Sequence, residues 1–234
     1  MDEWAYPHLT CRSPTRILKP LKQMNNPWLS IPLEEYEGHM ALPDVGQAKM
    51  LSNEFEELLR TYSPVSAALI GCAGGNGFEE AHKAGVRRVV GLDINPAYVA
   101  DAKARYAGQI PGLELYCADI EGDMPELRPV HLIYGALVFE YVDIAKALRN
   151  LRGLCLPNGI LAALLQLPKE AAASVSPSPF VTLKELSSIM RLARPDVFRG
   201  GAEELGFSLL CQKLITLKSG KQFSLQTFKL QPRA

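Results

Sequence analysis

The chain has 234 residues, 47% hydrophobic and 21% charged, so it is long enough to bury a core and too apolar to be a disordered segment. Its 25 basic residues balance its 25 acidic ones, which excludes a global field for nucleic acid or for an anionic membrane.

Residues 1–64 read as an amino-terminal arm and a lid helix. Prolines at 7, 14, 20, 27, 32 and 43 break any long helix over the first 43 residues. Arg12, Arg16, Lys19 and Lys22 give the arm a basic bias, and it reads equally as a tail, a lid or a partner-binding arm. Trp28-Leu29-Ser30-Ile31-Pro32 and Tyr36-Glu37-Gly38-His39-Met40 are too aromatic and apolar for a tail, so they are expected to pack over something, the mouth of the binding site read below being the obvious place. A helix is predicted from Asp44, with Gln47 completing a capping box. Ala48, Leu51, Phe55, Leu58 and Leu59 form its apolar face, and Pro64 limits it.

Residues 65–234 read as one α/β domain. Val65 to Ile70 is a short uncharged run, as suits a strand buried on both faces. Gly71, Gly74, Gly75 and Gly77 follow within seven residues. Phe78 to Ala84 is a short helix closed by Gly85, and Arg87 to Leu92 is a second strand with Asp93 at its tip. Asn95 caps a helix that has Pro96 at its first position and runs to about Ala107. Leu113 to Cys117 and Val130 to Ala136 are strands, Tyr141 to Leu154 is a helix, and Pro157-Asn158-Gly159 turns the chain into a strand over Ile160 to Gln166. After a loop over Lys169 to Phe180, Thr182 and Glu185 form a capping box for a helix that Pro195 stops. Phe207 to Leu217 and Gln222 to Leu230 are joined by four residues, too few for anything but an antiparallel hairpin. The expected fold is a doubly wound, mostly parallel seven-stranded sheet with helices on both faces and a carboxy-terminal antiparallel hairpin.

The stretch from Val65 to Asn95 carries the functional signal. A glycine turn opens a helix, and a carboxylate stands at the end of the neighbouring strand, where a nucleoside diol could meet both. A dinucleotide fingerprint G-x-G-x-x-G fails, because after Gly75-Asn76-Gly77 the third glycine would fall at Glu80. Read from Gly71, the loop G-C-A-G-G-N-G resembles motif I of the class I S-adenosylmethionine-dependent methyltransferases, with Gly71, Ala73 and Gly75 on its alternating small positions. Asp93, 22 residues after Gly71, then falls on that family's ribose-binding acid. The acid usual two residues before the first glycine is Leu69 here. In the family that acid helps to orient the methionine end of the cofactor. The terminal hairpin fits the same family, which is expected to extend over roughly residues 65 to 230.

The resemblance implies S-adenosylmethionine as cofactor. Gly71, Cys72, Ala73 and Gly75 would line it, Asp93 would accept from the ribose hydroxyls, and Ile94 would pack on the adenine. Asp119 would accept from the adenine amino group, with Ile120 flanking the ring. Gly135 and Ala136 would make room for the sulfonium end. YGALVFEY over 134–141 stands where the family carries motif IV, and it places Glu140 and Tyr141 as catalytic candidates. The motif D/N-P-P-Y/F of nucleic-acid amino-methylating enzymes is missing there, as are the cysteine of pyrimidine C5 enzymes and the acid of metal-dependent catechol-type enzymes. No metal is therefore expected. Of four histidines, His82 reads as solvent-facing, His131 as structural and His8 as part of the arm. His39 is the candidate general base, with Tyr36, Glu37 and His39 as substrate contacts.

The reading is a methyltransferase acting on a small molecule at oxygen or nitrogen. Its alternatives are an RNA or protein methyltransferase using the basic arm, a non-catalytic cofactor-binding module permitted by Leu69, and an NAD-dependent oxidoreductase. Nucleic acid and membrane partners are not expected. Five dispersed cysteines without a C-x-x-C pair argue for free thiols, and Asp2 and Glu3 at the start together with a longest apolar stretch of only 160–167 point to the cytoplasm.

Overall fold

The computed structural model describes residues 26–168 and 176–232. Arg12, Arg16, Lys19, Lys22, His8 and Cys11 of the basic arm lie outside the described residues, as do 169–175 of the Ala/Ser/Pro loop.

Seven strands form one sheet in the order β3-β2-β1-β4-β5-β7-β6. They are β1 (Ser66–Ile70), β2 (Arg88–Asp93), β3 (Leu113–Cys117), β4 (Val130–Ala136), β5 (Cys155–Gln166), β6 (Phe207–Thr216) and β7 (Gln222–Leu230). The first five are parallel, whereas β7 runs antiparallel to both β5 and β6. The order reverses between β1 and β4, so a cleft opens at their carboxyl ends, the usual ligand position in such sheets.

Strand periodicity divides the core. Ala68 and Ile70 of β1, with Leu161, Ala163 and Leu165 of β5, face one layer. That layer is built on α5 (Ile144–Leu154) and α6 (Pro195–Glu204). Ala67 and Leu69, with Ile160, Ala162 and Leu164, face the other. There α2 (Gln47–Tyr62), α3 (Phe78–Lys83) and α4 (Pro96–Tyr106) pack. The centre of the sheet is thus covered on both faces, as the apolar strands β1 and β2 require.

The amino-terminal segment departs from its prediction. Leu33–Ala41 forms a helix, α1, with Pro32 at its N-cap. A proline just outside a helix forfeits no intrahelical hydrogen bond, so the residue that reads as a breaker is a start signal here. The next helix starts at Gln47 rather than Asp44, and its N-cap is Gly46 in the left-handed region, without a side-chain cap. The amides of Val45 and Gly46 bond back to the carbonyl of Leu42, and Val45 is buried, so this turn uses the residues that the capping box would have taken. Ala48 is exposed, and Met50 and Glu54 complete the inner face instead.

Four further readings shift. Asp143 caps α5 by accepting from the Lys146 amide, so Tyr141 falls in a preceding 3-10 turn, Phe139–Tyr141. Strand β5 starts at Cys155, with the 157–159 turn absorbed as an irregularity at which Asn158 has φ 64°. Thr182 does not cap an α-helix, because its hydroxyl donates to Glu35 at 2.5 Å, and residues Thr182–Ser188 form a 3-10 helix. Pro195 begins a helix, α6, instead of stopping one.

Candidate functional site

A cavity of about 660 Å³ lies at the carboxyl ends of β1 to β4. Gly71 and Ala73 form its floor, Asp93 and Ile94 one wall, Asp119 and Ile120 another, and Ala136 the side toward β4. Three of the sequence-derived cofactor residues do not line it. Cys72 is buried beneath the loop, against Gly91. Gly75 has φ 113°, and a Cβ there would collide with the ring of Tyr106, so its part is to let the loop close on α4. Gly135 packs on Phe139 inside the sheet.

Asp93 organises the loop. Its Oδ2 accepts from the Ala73 amide at 2.8 Å and its Oδ1 from the Asn95 amide at 2.9 Å. Ala73 stands at φ 47°, a conformation that alanine adopts only under constraint, and the bond to Asp93 supplies that constraint. Burial raises the pKa of Asp93, and the amides of Asn95 and Ala73 oppose the rise by stabilising the anion. Each carboxylate oxygen has a second acceptor direction, so both remain able to take a hydroxyl of a diol. Asp119 is placed similarly, its Oδ1 accepting from the Glu121 amide at 3.0 Å, and burial raises its pKa too.

The segment before β1 closes over this cavity. The Trp28 carbonyl accepts from the Asn95 side chain at 2.8 Å, and the Trp28 ring meets Tyr36 edge-on at 5.6 Å and Tyr141 at 5.1 Å between centroids. Tyr36 stacks on Tyr98 of α4. Trp28 lies where its aromatic stretch was expected to pack, over the mouth of the cavity, whereas sequence reasoning missed Tyr98 as a cavity residue. The available signal was an aromatic in the first turn after the Asn95 cap.

Trp28, Tyr36, Leu137 and Tyr141 also line a second cavity, of about 490 Å³, on the other side of the same aromatic partition. His39, Gln166 and Lys221 contribute its polar groups, with Leu183, Leu186 and Met190 apolar. His39 is buried, and its Nδ1 has no hydrogen-bond partner among the described residues. Burial first, and the charge of Lys221 second, lower the His39 pKa, so the imidazole is neutral at pH 7. Burial likewise lowers the pKa of Lys221.

The remaining candidates are placed elsewhere. Glu37 faces Arg105 of α4, with oxygen–nitrogen distances of 2.5 and 3.0 Å, which clamps α1 across the glycine loop instead of facing either cavity. Glu140 lines neither cavity. It is buried, its Oε1 accepts from the Gln166 amide at 2.7 Å, and burial pushes its pKa up to about 7. His82 is exposed, and His131 Nδ1 lies 2.8 Å from the Ser66 hydroxyl, so neither faces the cavities. Among the described residues no cluster of His, Cys, Asp and Glu could hold a metal ion, and no helix is long and apolar enough to cross a membrane.

Leu69, in place of the motif I acid, is buried in the layer beneath α2, and a Cβ on Gly77 would strike its side chain. A fully buried leucine contributes roughly 1.5–3 kcal/mol to the core. Position 69 therefore serves packing.

A sheet of this order, with an acid at the tip of β2 beside a glycine loop, defines a Rossmann-like domain. Comparison narrows the class: residues 69–163 match the family model described as a methyltransferase domain, and the fold is that of S-adenosylmethionine-dependent methyltransferases of known structure. The N-methyltransferase NodS of Bradyrhizobium japonicum, solved with S-adenosyl-L-homocysteine, is 16% identical with a TM-score of 0.62, over 89% of this chain and 100% of that one. A Mesorhizobium loti protein described as an S-adenosylmethionine-dependent methyltransferase is 20% identical with a TM-score of 0.59, over 74% and 96%. The [4+2]-cyclase SpnF is 12% identical with a TM-score of 0.62, over 78% and 82%. At these identities the likeness establishes the fold. No curated protein matches the chain by sequence.

Proposed function

We propose that the protein transfers the methyl group of S-adenosylmethionine to oxygen or nitrogen of a small-molecule acceptor. One observation carries this reading. The cavity over the glycine loop and the cavity holding His39 share a wall made by Trp28, Tyr36, Leu137 and Tyr141. A nucleoside-bearing cofactor held by Asp93 and Asp119 would present its methyl group at that partition. An acceptor on the far side would meet it with water excluded by the aromatic rings. In this reading Asp93 orients the ribose, and Asp119 and Ile120 hold the adenine. Tyr141 and Tyr36 direct the approach, and His39, neutral at pH 7, takes the proton that the acceptor loses. The second cavity, of about 490 Å³, suits a small acceptor better than a strand of RNA. The protein would work as a soluble cytoplasmic enzyme.

Calorimetric titration with S-adenosylmethionine, S-adenosylhomocysteine and NAD in parallel tests the cofactor. Binding of both adenosyl ligands and not of NAD is the expected result, and NAD binding alone would return the oxidoreductase reading. Once an acceptor is found, His39→Ala is expected to cut turnover by roughly 10²–10⁴-fold with unchanged cofactor affinity, the usual loss for a general base. Because the folded pKa of His39 lies below 6.5, wild-type turnover should rise with pH to half its maximum below pH 6.5. Intact turnover in the alanine variant would remove His39 from the mechanism.

A further inference from the structure

A third cavity, of about 640 Å³, opens between α2, α3 and the glycine loop. Gly71, Tyr36 and Ala136 line both this cavity and the one over Asp93, so the two adjoin at the first glycine of the loop. Leu69 of β1 and Phe55 of α2 give it apolar walls. Ser52 of α2, Asn76 of the glycine loop and Glu80 of α3 bring polar groups. Glu80, in the first turn of α3, is half-buried, and its Oε1 accepts a short hydrogen bond from the Ser52 hydroxyl of α2. Among the described residues Oε2 accepts no hydrogen bond.

Resting on the cofactor reading above, we infer that Glu80 supplies the carboxylate that position 69 lacks, and that it binds the ammonium group of an α-amino-acid moiety reaching from the nucleoside cavity. A cofactor whose adenosine lies over Asp93 must extend its amino-acid arm past Gly71, and beyond Gly71 lies the space that Glu80 borders. A carboxylate fixed by one hydroxyl and open at its other oxygen suits an ammonium group, since a charge-assisted bond is stronger than a neutral one. Ser52 holds that carboxylate in place before the ligand arrives. The motif I acid has thus moved from a strand to the following helix, which leaves Leu69 free to pack beneath Gly77.

The test is calorimetric titration of the wild-type protein and of Glu80→Gln with two ligands. S-adenosylhomocysteine carries the amino-acid arm, and 5′-methylthioadenosine lacks it. Glu80→Gln is expected to weaken S-adenosylhomocysteine binding by about 10-fold or more and to leave 5′-methylthioadenosine binding within about twofold. Retained methylthioadenosine binding also shows that the variant is folded. Equal losses for both ligands, or no loss for either, would overturn the assignment. Failure of the wild-type protein to bind either ligand would instead reject the cofactor reading, and this inference with it.

Discussion

Asp93→Ala is expected to weaken S-adenosylhomocysteine binding by at least about 3 kcal/mol, roughly a 100-fold rise in Kd. Two losses combine. The carboxylate would accept from both ribose hydroxyls, and each charge-assisted bond contributes about 1.5–3 kcal/mol. The same carboxylate also holds Ala73 at φ 47° through its amide. Without Asp93 the loop residue that borders the cavity loses its constraint, so the floor of the site changes with the wall. Asp93→Asn separates the two effects, because one amide oxygen can still accept from Ala73 while the charge is gone. The asparagine variant should bind more weakly than wild type and more tightly than the alanine variant. Measurement is by calorimetry at matched ionic strength, with thermal denaturation to confirm folding. Unchanged affinity in the alanine variant would remove Asp93 from the site.

The residues that line the cavity at the strand tips were legible in the sequence because that signal is local. Gly71 and Asp93 each sit at the end of an apolar run, and parallel strands with both faces buried announce themselves by such runs. The observed bounds of β3 and β4, Leu113–Cys117 and Val130–Ala136, coincide with those read from pattern alone. The second cavity was not legible in the same way. His39, Gln166, Leu183 and Lys221 come from four separated segments, and only tertiary packing brings them to one wall. The segment from Trp28 to Ala41 shows why propensity fails there. Its prolines and short polar stretches carry no helical period, and α1 is held by Ile31 and Leu33, which are buried against other elements. Glu140 shows a subtler failure. Its place after β4 suggested a cavity-facing group, as did that of Tyr141. In a 3-10 turn, however, neighbouring side chains leave about 120° apart, so Tyr141 reaches both cavities while Glu140 turns inward.

Glu140→Gln is expected to stabilise the protein above neutral pH, by up to roughly 3 kcal/mol at pH 8. Burial pushes the folded-state pKa of Glu140 up to about 7, against an ordinary value of 4.5. The folded state thus holds a proton that the unfolded state has already released between these two values. Below pH 4.5 both states are protonated, and the carboxyl is neutral in each. As pH rises toward 7 the unfolded state gains from ionisation, so folding stability falls, and above pH 7 the loss is complete. Glutamine has no such ionisation, and its amide oxygen can still accept from the Gln166 amide that now bonds Oε1. The variant and wild type should therefore unfold at similar temperatures near pH 4 and diverge toward pH 8. At this chain length each kcal/mol corresponds to about 2–4 °C in Tm. A difference that does not vary with pH would mean that Glu140 titrates as an ordinary carboxyl. The position bears on function as well as stability. The Glu140 side chain holds the end of β5, and its carbonyl accepts from the Arg191 amide at 2.7 Å, which ties in the segment after residues 182–188. Tyr141 follows directly in the chain and stands between the two cavities. Ionisation of Glu140 within this cross-link would strain the turn that positions Tyr141, so turnover in the wild type should fall above pH 7 while that of the glutamine variant stays level.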